Sequence, residues 1–260
     1  MEQFIYETHL HTSTSSACGR SLGSEYISYY KEKGYAGIIV TDHFFNGNCA
    51  VPRDLPWAER VKLFCDGYRL AKEEGDRQNF DVFFGWEDCF NATEYLVYGL
   101  DEEWLLNHPE ILEWDHVEHF KRIDASGGLV VQAHPFRERG YIEEVRLHPL
   151  QSHAWEVANA GNPYEQDLLA YNYAKSHGLI MTAGSDIHKV GCTGNDNLTY
   201  GVAFPYKLNS ISDYVRGIKN GDGKIYVPND NLSKHSDYFS TTPVYLYDEK
   251  NNREQIFMLP

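Results

Sequence analysis

The sequence is short of positive charge. Its 260 residues carry 23 lysines and arginines against 38 aspartates and glutamates, a formal charge of −15. That surface lacks the basic footprint needed to grip a nucleic-acid backbone, so long nucleic acid is not expected as a partner. A small anionic substrate remains compatible, because metal ions and a few local arginines invert the field inside a cleft. Cysteine is sparse and scattered: Cys18, Cys49, Cys65, Cys89 and Cys192 form no CxxC pair. This argues against a disulfide framework and reads as reduced thiols in the cytoplasm. No basic segment followed by an apolar core opens the chain, so no secretory leader is expected. No apolar run approaches the roughly 18–20 residues of a membrane span. Neither GxGxxG nor GxxxxGK[ST] follows any predicted strand, which removes two common nucleotide-binding loops.

What is present is an alternation. Apolar residues make up 42% and charged residues 23%, ordinary for a globular protein with a sizeable core. Strands are predicted at the opening stretch, 35–41, 80–87, 95–98, 129–133, 154–158, 179–183 and 201–204. Helices are predicted at 25–33, about 57–75, in parts of 101–126, and at about 164–177 and 210–219. Strand and helix alternate about seven times, which predicts parallel strands with crossover helices, as an open sheet or a barrel. We expect one domain over 1–260, with its core at about 1–220. Residues 221–260 read as a polar extension holding one possible edge strand, Val244-Tyr245-Leu246-Tyr247.

Histidines and carboxylates fall at the strand ends. His9-Leu10-His11 closes the first strand, and i, i+2 residues of a strand share a face, so two imidazoles project together. His43 ends the second strand, Glu87 the third, and His134 the strand at 129–133. Asp186 and His188 follow the strand at 179–183. Functional groups of α/β sheets and barrels collect at these carboxyl ends. The other histidines, His108, His148, His153, His177 and His235, read as solvated surface residues. His116 and His119, spaced i, i+3, read as an exposed charged helix face.

His9-Leu10-His11-Thr12, Thr41-Asp42-His43, Gly85-Trp86-Glu87, Ala133-His134-Pro135 and Gly184-Ser185-Asp186-Ile187-His188 resemble, in order, the motifs of the polymerase and histidinol phosphatase (PHP) superfamily. The resemblance covers residues 5–204. It implies a distorted (β/α)7 TIM-like barrel of the PHP type, carrying two or three divalent transition-metal ions, and phosphoester hydrolysis as the usual activity. It further implies a first ion held by His9, His11, Glu87 and Asp186. A second would be shared through Glu87 and held by His134, and a third by His43 and His188.

Two places depart from the family pattern. Where many members carry a histidine after the motif glutamate, this chain has Glu94, either a ligand or an exposed strand-edge residue. The loop after His11 offers only Cys18, read first as a small buried thiol, with thiolate ligation as the alternative. The mixed imidazole and carboxylate set suits Zn, Mn or Fe. The expected function is hydrolysis of a small phosphomonoester by a metal-activated water at a di- or trinuclear centre, with phosphate or sulfate able to occupy the site. The alternatives are a nuclease-type phosphodiesterase and a non-catalytic metal-binding module. His188 and His43 are candidates for leaving-group protonation. Arg137 and Arg20 are candidates to grip phosphate through the guanidinium fork. Asp42 is expected to orient a neighbouring imidazole, and Asn159 to line the same mouth.

Overall fold

The structure, a computed structural model, describes residues 3–193, 198–228, 232 and 238–256. Its elements run β1 (Phe4–Glu7), α1 (Glu25–Glu32), β2 (Gly37–Val40), α2 (Trp57–Phe64), α3 (Asp66–Gln78), β3 (Asp81–Phe90) and β4 (Thr93–Tyr98). Then come α4 (Glu102–Leu106), a 3₁₀ turn (Pro109–Glu113), α5 (His116–Ala125), β5 (Leu129–Gln132), β6 (Val145–Leu147), β7 (Ala154–Asn159), α6 (Tyr164–His177) and β8 (Met181–Gly184). The chain continues through β9 (Gly201–Phe204), α7 (Ile211–Lys219), β10 (Lys224–Tyr226), β11 (Val244–Tyr247) and β12 (Arg253–Ile256). Among the described residues no helix is long and apolar enough to cross a membrane. His235 lies outside the described residues.

Nine strands form one nearly closed, barrel-shaped sheet in the order β10-β9-β1-β2-β3-β4-β5-β7-β8. Strands β1, β2, β3, β5, β7 and β8 run one way, as the β/α alternation predicts, but β4 and β9 run against them. The reversal at β4 has a local cause. Only Asn91 and Ala92 separate it from β3, both at positive φ. A two-residue turn builds a hairpin and leaves no length for a crossover helix. The barrel closes at its carboxyl mouth, where Leu10 forms a parallel bridge with Ile187 and the His11 N–H donates to the Ile187 carbonyl at 3.0 Å.

Side-chain alternation sorts the core. Ile39, Leu96, Tyr98 and Val131 face the barrel interior, where Tyr214, Val215 and Ile218 of α7 close the lower end. Their strand neighbours Tyr95, Val97 and Val130 face outward to α2, α4 and α5. The interior is therefore apolar below and polar only at the mouth.

The helix expected at 57–75 is two, α2 and α3, meeting at Cys65, and α3 runs past Gly75 to Gln78, capped by Asn79 in the left-handed region. Gly75 is kept for space, not as a stop: a Cβ there would lie 2.5 Å from Val82 Cγ2. Val244–Tyr247 is the central strand of a small separate sheet, β12-β11-β6, rather than an edge strand. Its partner β6 falls within 136–153, where the sequence shows no pattern, because three residues are too few to show a period.

Candidate metal centre

The strand ends bring His9, His11, His43, Glu87, Glu94, His134, Asp186 and His188 into one cluster. Four overlapping groups have ligand atoms within metal-binding reach: His9, His11 and Asp186; His9, Glu87 and His134; His43, Glu87 and Glu94; His11, His43 and His188. Glu87 is central. Its carboxylate lies 3.2 Å from His9 Nε2, 3.5 Å from His11 Nε2, 2.8 Å from His43 Nδ1 and 3.4 Å from His134 Nε2. Asp186 Oδ1 is 3.1 Å from His11 Nε2 and 3.5 Å from His9 Nε2. Glu94 stands 3.3 Å from His134 Nε2 and 3.8 Å from His43 Nδ1, so it faces the cluster rather than the solvent edge.

The outer shell fixes which imidazole nitrogens face inward. His9 Nδ1 is 2.9 Å from Glu156 Oε1, so it carries the proton and donates it, leaving Nε2 as a lone pair. The Ser16 hydroxyl donates to Asp42 at 2.6 Å, so its oxygen accepts from His11 Nδ1 at 3.3 Å and from the His43 N–H at 3.0 Å. His188 Nδ1 is 2.9 Å from the Asp186 carbonyl, which again frees Nε2. Asp42 thus acts on His11 through Ser16. It also holds the loop after His11 through the Thr12 N–H and hydroxyl, at 2.6 and 2.8 Å.

Two candidate ligands sit on unusual backbone. His134 has φ +28° and Asp186 has φ +49°. Non-glycine residues rarely adopt such angles, and strain of this kind gathers at functional sites. The strand behind them is packed tightly. A Cβ on Gly184 would lie 2.5 Å from His9 Cβ and 2.6 Å from Glu156 Oε1.

Electrostatics show what the cluster lacks among its own residues. Glu87, Glu94, Asp186 and Glu156 face a single fixed cation, Arg137, leaving three uncompensated negative charges if the imidazoles are neutral. Burial pushes the Glu87 carboxyl up, but His9 and His43 outweigh it and hold it well below its ordinary range. Burial likewise opposes the charge on Asp186, and Arg137 then His9 bring it well below normal. Burial lowers the His9 imidazole, yet Glu156, Asp186 and Glu87 raise it well above normal. Glu94 is raised by burial and by Glu87. Both Glu87 oxygens, His43 Nδ1 and His134 Nε2 are buried without an aligned hydrogen bond. Buried charges and orphaned lone pairs of this kind are costly unless paired or coordinated to a cation. The donor set therefore fits divalent metal ions.

The other sequence candidates fall unevenly. Arg137 reaches the cluster, but its Nη2 donates to Asp186 Oδ2 at 2.6 Å and Asn159 Oδ1 at 3.0 Å, and its Nε to Asn162 Oδ1 at 2.7 Å. Most of its fork is taken up by Asp186, Asn159 and Asn162. Arg20 is exposed, tied to the site only through its N–H donating to the His188 carbonyl at 2.7 Å. Cys18 is half-buried rather than packed away. Burial raises its thiol, but hydrogen bonds to His188 and His43 bring it down to about 6.

Glu156, the carboxylate that holds His9 Nδ1, escapes sequence reasoning. Its one signal is a charge inside the apolar run Ala154-Trp155-Glu156-Val157-Ala158. Glu7 is also missed. It is fully buried and accepts from the Thr8, His9 and Ser185 N–H groups and the Tyr30 hydroxyl, stitching the end of β1 to the end of β8.

Several histidines read as surface residues are not. His119 is buried against Asp88 at 2.8 Å, and Asp88 also accepts from Trp86 Nε1 at 2.5 Å. His148 is buried and stacked on Tyr247, and half-buried His116 packs on it at 4.2 Å. His108 stacks on Trp104, and His153 bonds Asp124. Long loops and the small sheet cover them, which periodicity within single helices does not reveal. His177 is exposed, as expected.

No family model matches the chain, and no curated protein matches it. Solved structures do resemble it. PsfC from Pseudomonas syringae aligns with TM-score 0.54 and 16% identity, over 89% of this chain and 94% of its own. An amidohydrolase from Chromobacterium violaceum, solved with bound sulfate and no metal, aligns with TM-score 0.50 and 15% identity over 86% and 98%. A Bifidobacterium adolescentis protein provisionally described as a metal-dependent phosphoesterase aligns with TM-score 0.46 and 18% identity over 75% and 92%. At these identities the first two likenesses concern the fold.

Proposed function

We propose that the chain is a metal-dependent phosphoesterase of the PHP type, acting on a small phosphomonoester. The observation that carries this reading is the convergence of four imidazoles, His9, His11, His43 and His134, on one buried carboxylate, Glu87, within four overlapping ligand groups at the barrel mouth. His9, His11 and Asp186 would hold one ion, with Glu87 shared toward His134 and Glu94, and His11, His43 and His188 would hold a third. When bound, Zn, Mn or Fe ions supply Lewis acidity toward water and the phosphoryl oxygens. Glu156, Ser16 and Asp42 keep the lone pairs of His9 and His11 turned inward. Arg137 keeps Asp186 in place, and its remaining Nη1 is available to a phosphoryl oxygen. With only two ions bound, His188, the most exposed imidazole of the set at 32% side-chain exposure, would give a proton to a departing alkoxide; with a third bound, its Nε2 would be a ligand instead.

The test is a panel of small phosphomonoesters and phosphodiesters, assayed with added Mn or Zn, beside a His9→Ala/His11→Ala variant. Metal-dependent turnover of a monoester by the wild type, with at least about a hundredfold loss in the variant, is expected. No turnover of any phosphoester by metal-loaded protein would refute the reading. Preference for diesters would replace it with the nuclease-type one.

A further inference from the structure

A second cleft lies outside the barrel, and its contents have no part in the chemistry above. It measures about 380 Å³ and opens between the outward face of β4 and the β6–β11–β12 sheet. Glu94 and Tyr95 are neighbours on β4 and so point to opposite sides. Glu94 faces the metal cluster, whereas Tyr95 lines this cleft. Aromatic rings make up much of its wall: His148 stacks on Tyr247 at 4.4 Å and 25°, and His116 lies nearly parallel to Tyr95 at 6.3 Å and 13°. Three of the lining residues carry polar atoms that are buried and without a partner. They are the Tyr95 hydroxyl, on a side chain only 2% exposed, His116 Nε2 and His148 Nδ1. A buried hydroxyl left alone costs free energy that a bound acceptor would recover.

The charge in the cleft selects the ligand further. Glu144 receives Arg146 Nε at 2.9 Å and Arg253 Nη1 at 2.8 and 2.6 Å. One carboxylate against two guanidiniums leaves a single positive charge. Arg146 also donates through Nη1 to the Asn91 carbonyl, and among the described residues its Nη2 has no hydrogen-bond partner. An aromatic lining, a buried hydroxyl donor and one residual guanidinium charge match a planar ring bearing one carboxylate. A phosphate dianion would overcompensate the charge and make no use of the aromatic lining.

We propose that this cleft is a second binding site, for a small planar aromatic monocarboxylate. It does not depend on the reaction proposed for the metal centre. The experiment is calorimetric titration of metal-loaded protein with 2-naphthoate, indole-3-carboxylate and 4-hydroxybenzoate, with AMP and inorganic phosphate as comparisons. At least one acid is expected to bind with Kd of about 1 mM or tighter. Arg146→Gln should weaken that binding about tenfold, and the conservative Tyr95→Phe about fivefold. Circular dichroism should show both variants folded, and Tyr95→Phe keeps the ring packing should Arg146→Gln unfold. Saturating phosphate should leave acid binding unchanged. The proposal is overturned if no acid binds at several millimolar, or if both variants bind like wild type. Displacement of the acid by phosphate overturns it too, since the acid would then sit at the metal centre. So does binding of AMP or phosphate alone, lost in Arg146→Gln.

Discussion

Replacing Glu156 by glutamine tests the outer shell of the cluster with almost no change in shape. The carboxylate is fully buried, with Oε1 2.9 Å from His9 Nδ1 and Oε2 accepting from the His134 N–H at 3.1 Å and Asn159 Nδ2 at 2.8 Å. Glutamine can satisfy only part of this. With its oxygen on His9, its amide hydrogens meet two donors. With the amide flipped, His9 Nδ1 must accept, and the ring proton moves to Nε2, the nitrogen facing Glu87 and Asp186. A charged hydrogen bond is worth about 1.5–3 kcal/mol and its neutral replacement about 1, so either arrangement costs the site about 1–2 kcal/mol. The expected result is a loss of about 5–30-fold in metal affinity, read by competition with a chromophoric chelator. Thermal denaturation with and without metal should show a smaller metal-induced rise in Tm than wild type. Metal affinity within about threefold of wild type would refute the assignment of Glu156 as the group that orients His9.

Three further outcomes follow from buried groups elsewhere. Burial lifts the Glu7 carboxyl to about 7 from its ordinary 4.5, so the folded protein binds this proton more tightly than the unfolded chain. Stability from this group is present below about pH 4.5 and is lost as pH rises through 7, by about 3 kcal/mol; urea denaturation at pH 5 and 8 should show Glu7→Gln lacking that decline. Gly184→Ala drives a Cβ against His9 and Glu156 and should lower unfolding free energy by about 1–3 kcal/mol while weakening metal binding; unchanged metal affinity would contradict the packing. Asp88→Ala strands His119 Nε2 and Trp86 Nε1 on the outer face of β3 and should cost about 3 kcal/mol in denaturant unfolding, with metal affinity held near wild type because Glu87 points the other way.

The candidate site was more legible in the sequence than the shell around it. His9, His43, Glu87, His134 and Asp186 announce themselves because each ends an apolar run, and strand ends converge whatever the loops do. Glu156 and Glu7 sit within or at the end of runs that otherwise read as ordinary buried strand, and their partners lie on strands distant in sequence. The reversal at β4 was readable from the short Asn91-Ala92 connection but was hidden by the β/α rhythm on either side. His119 and His148 were misread for a different reason: each is covered by an element from elsewhere in the chain, and a helix or loop considered alone carries no record of what packs against it.

The left-handed backbone at His134 and Asp186 sets stability and function against each other. Angles of this kind cost about 1–3 kcal/mol for ordinary residues and little for glycine. A chain selected only for heat resistance would therefore drift toward glycine or asparagine at these two positions, and would lose two candidate ligands as it gained stability. Keeping histidine and aspartate there means the rest of the barrel must carry a standing handicap. Thermostabilising efforts on this scaffold should accordingly leave 134 and 186 untouched and seek their gains on the outer helices.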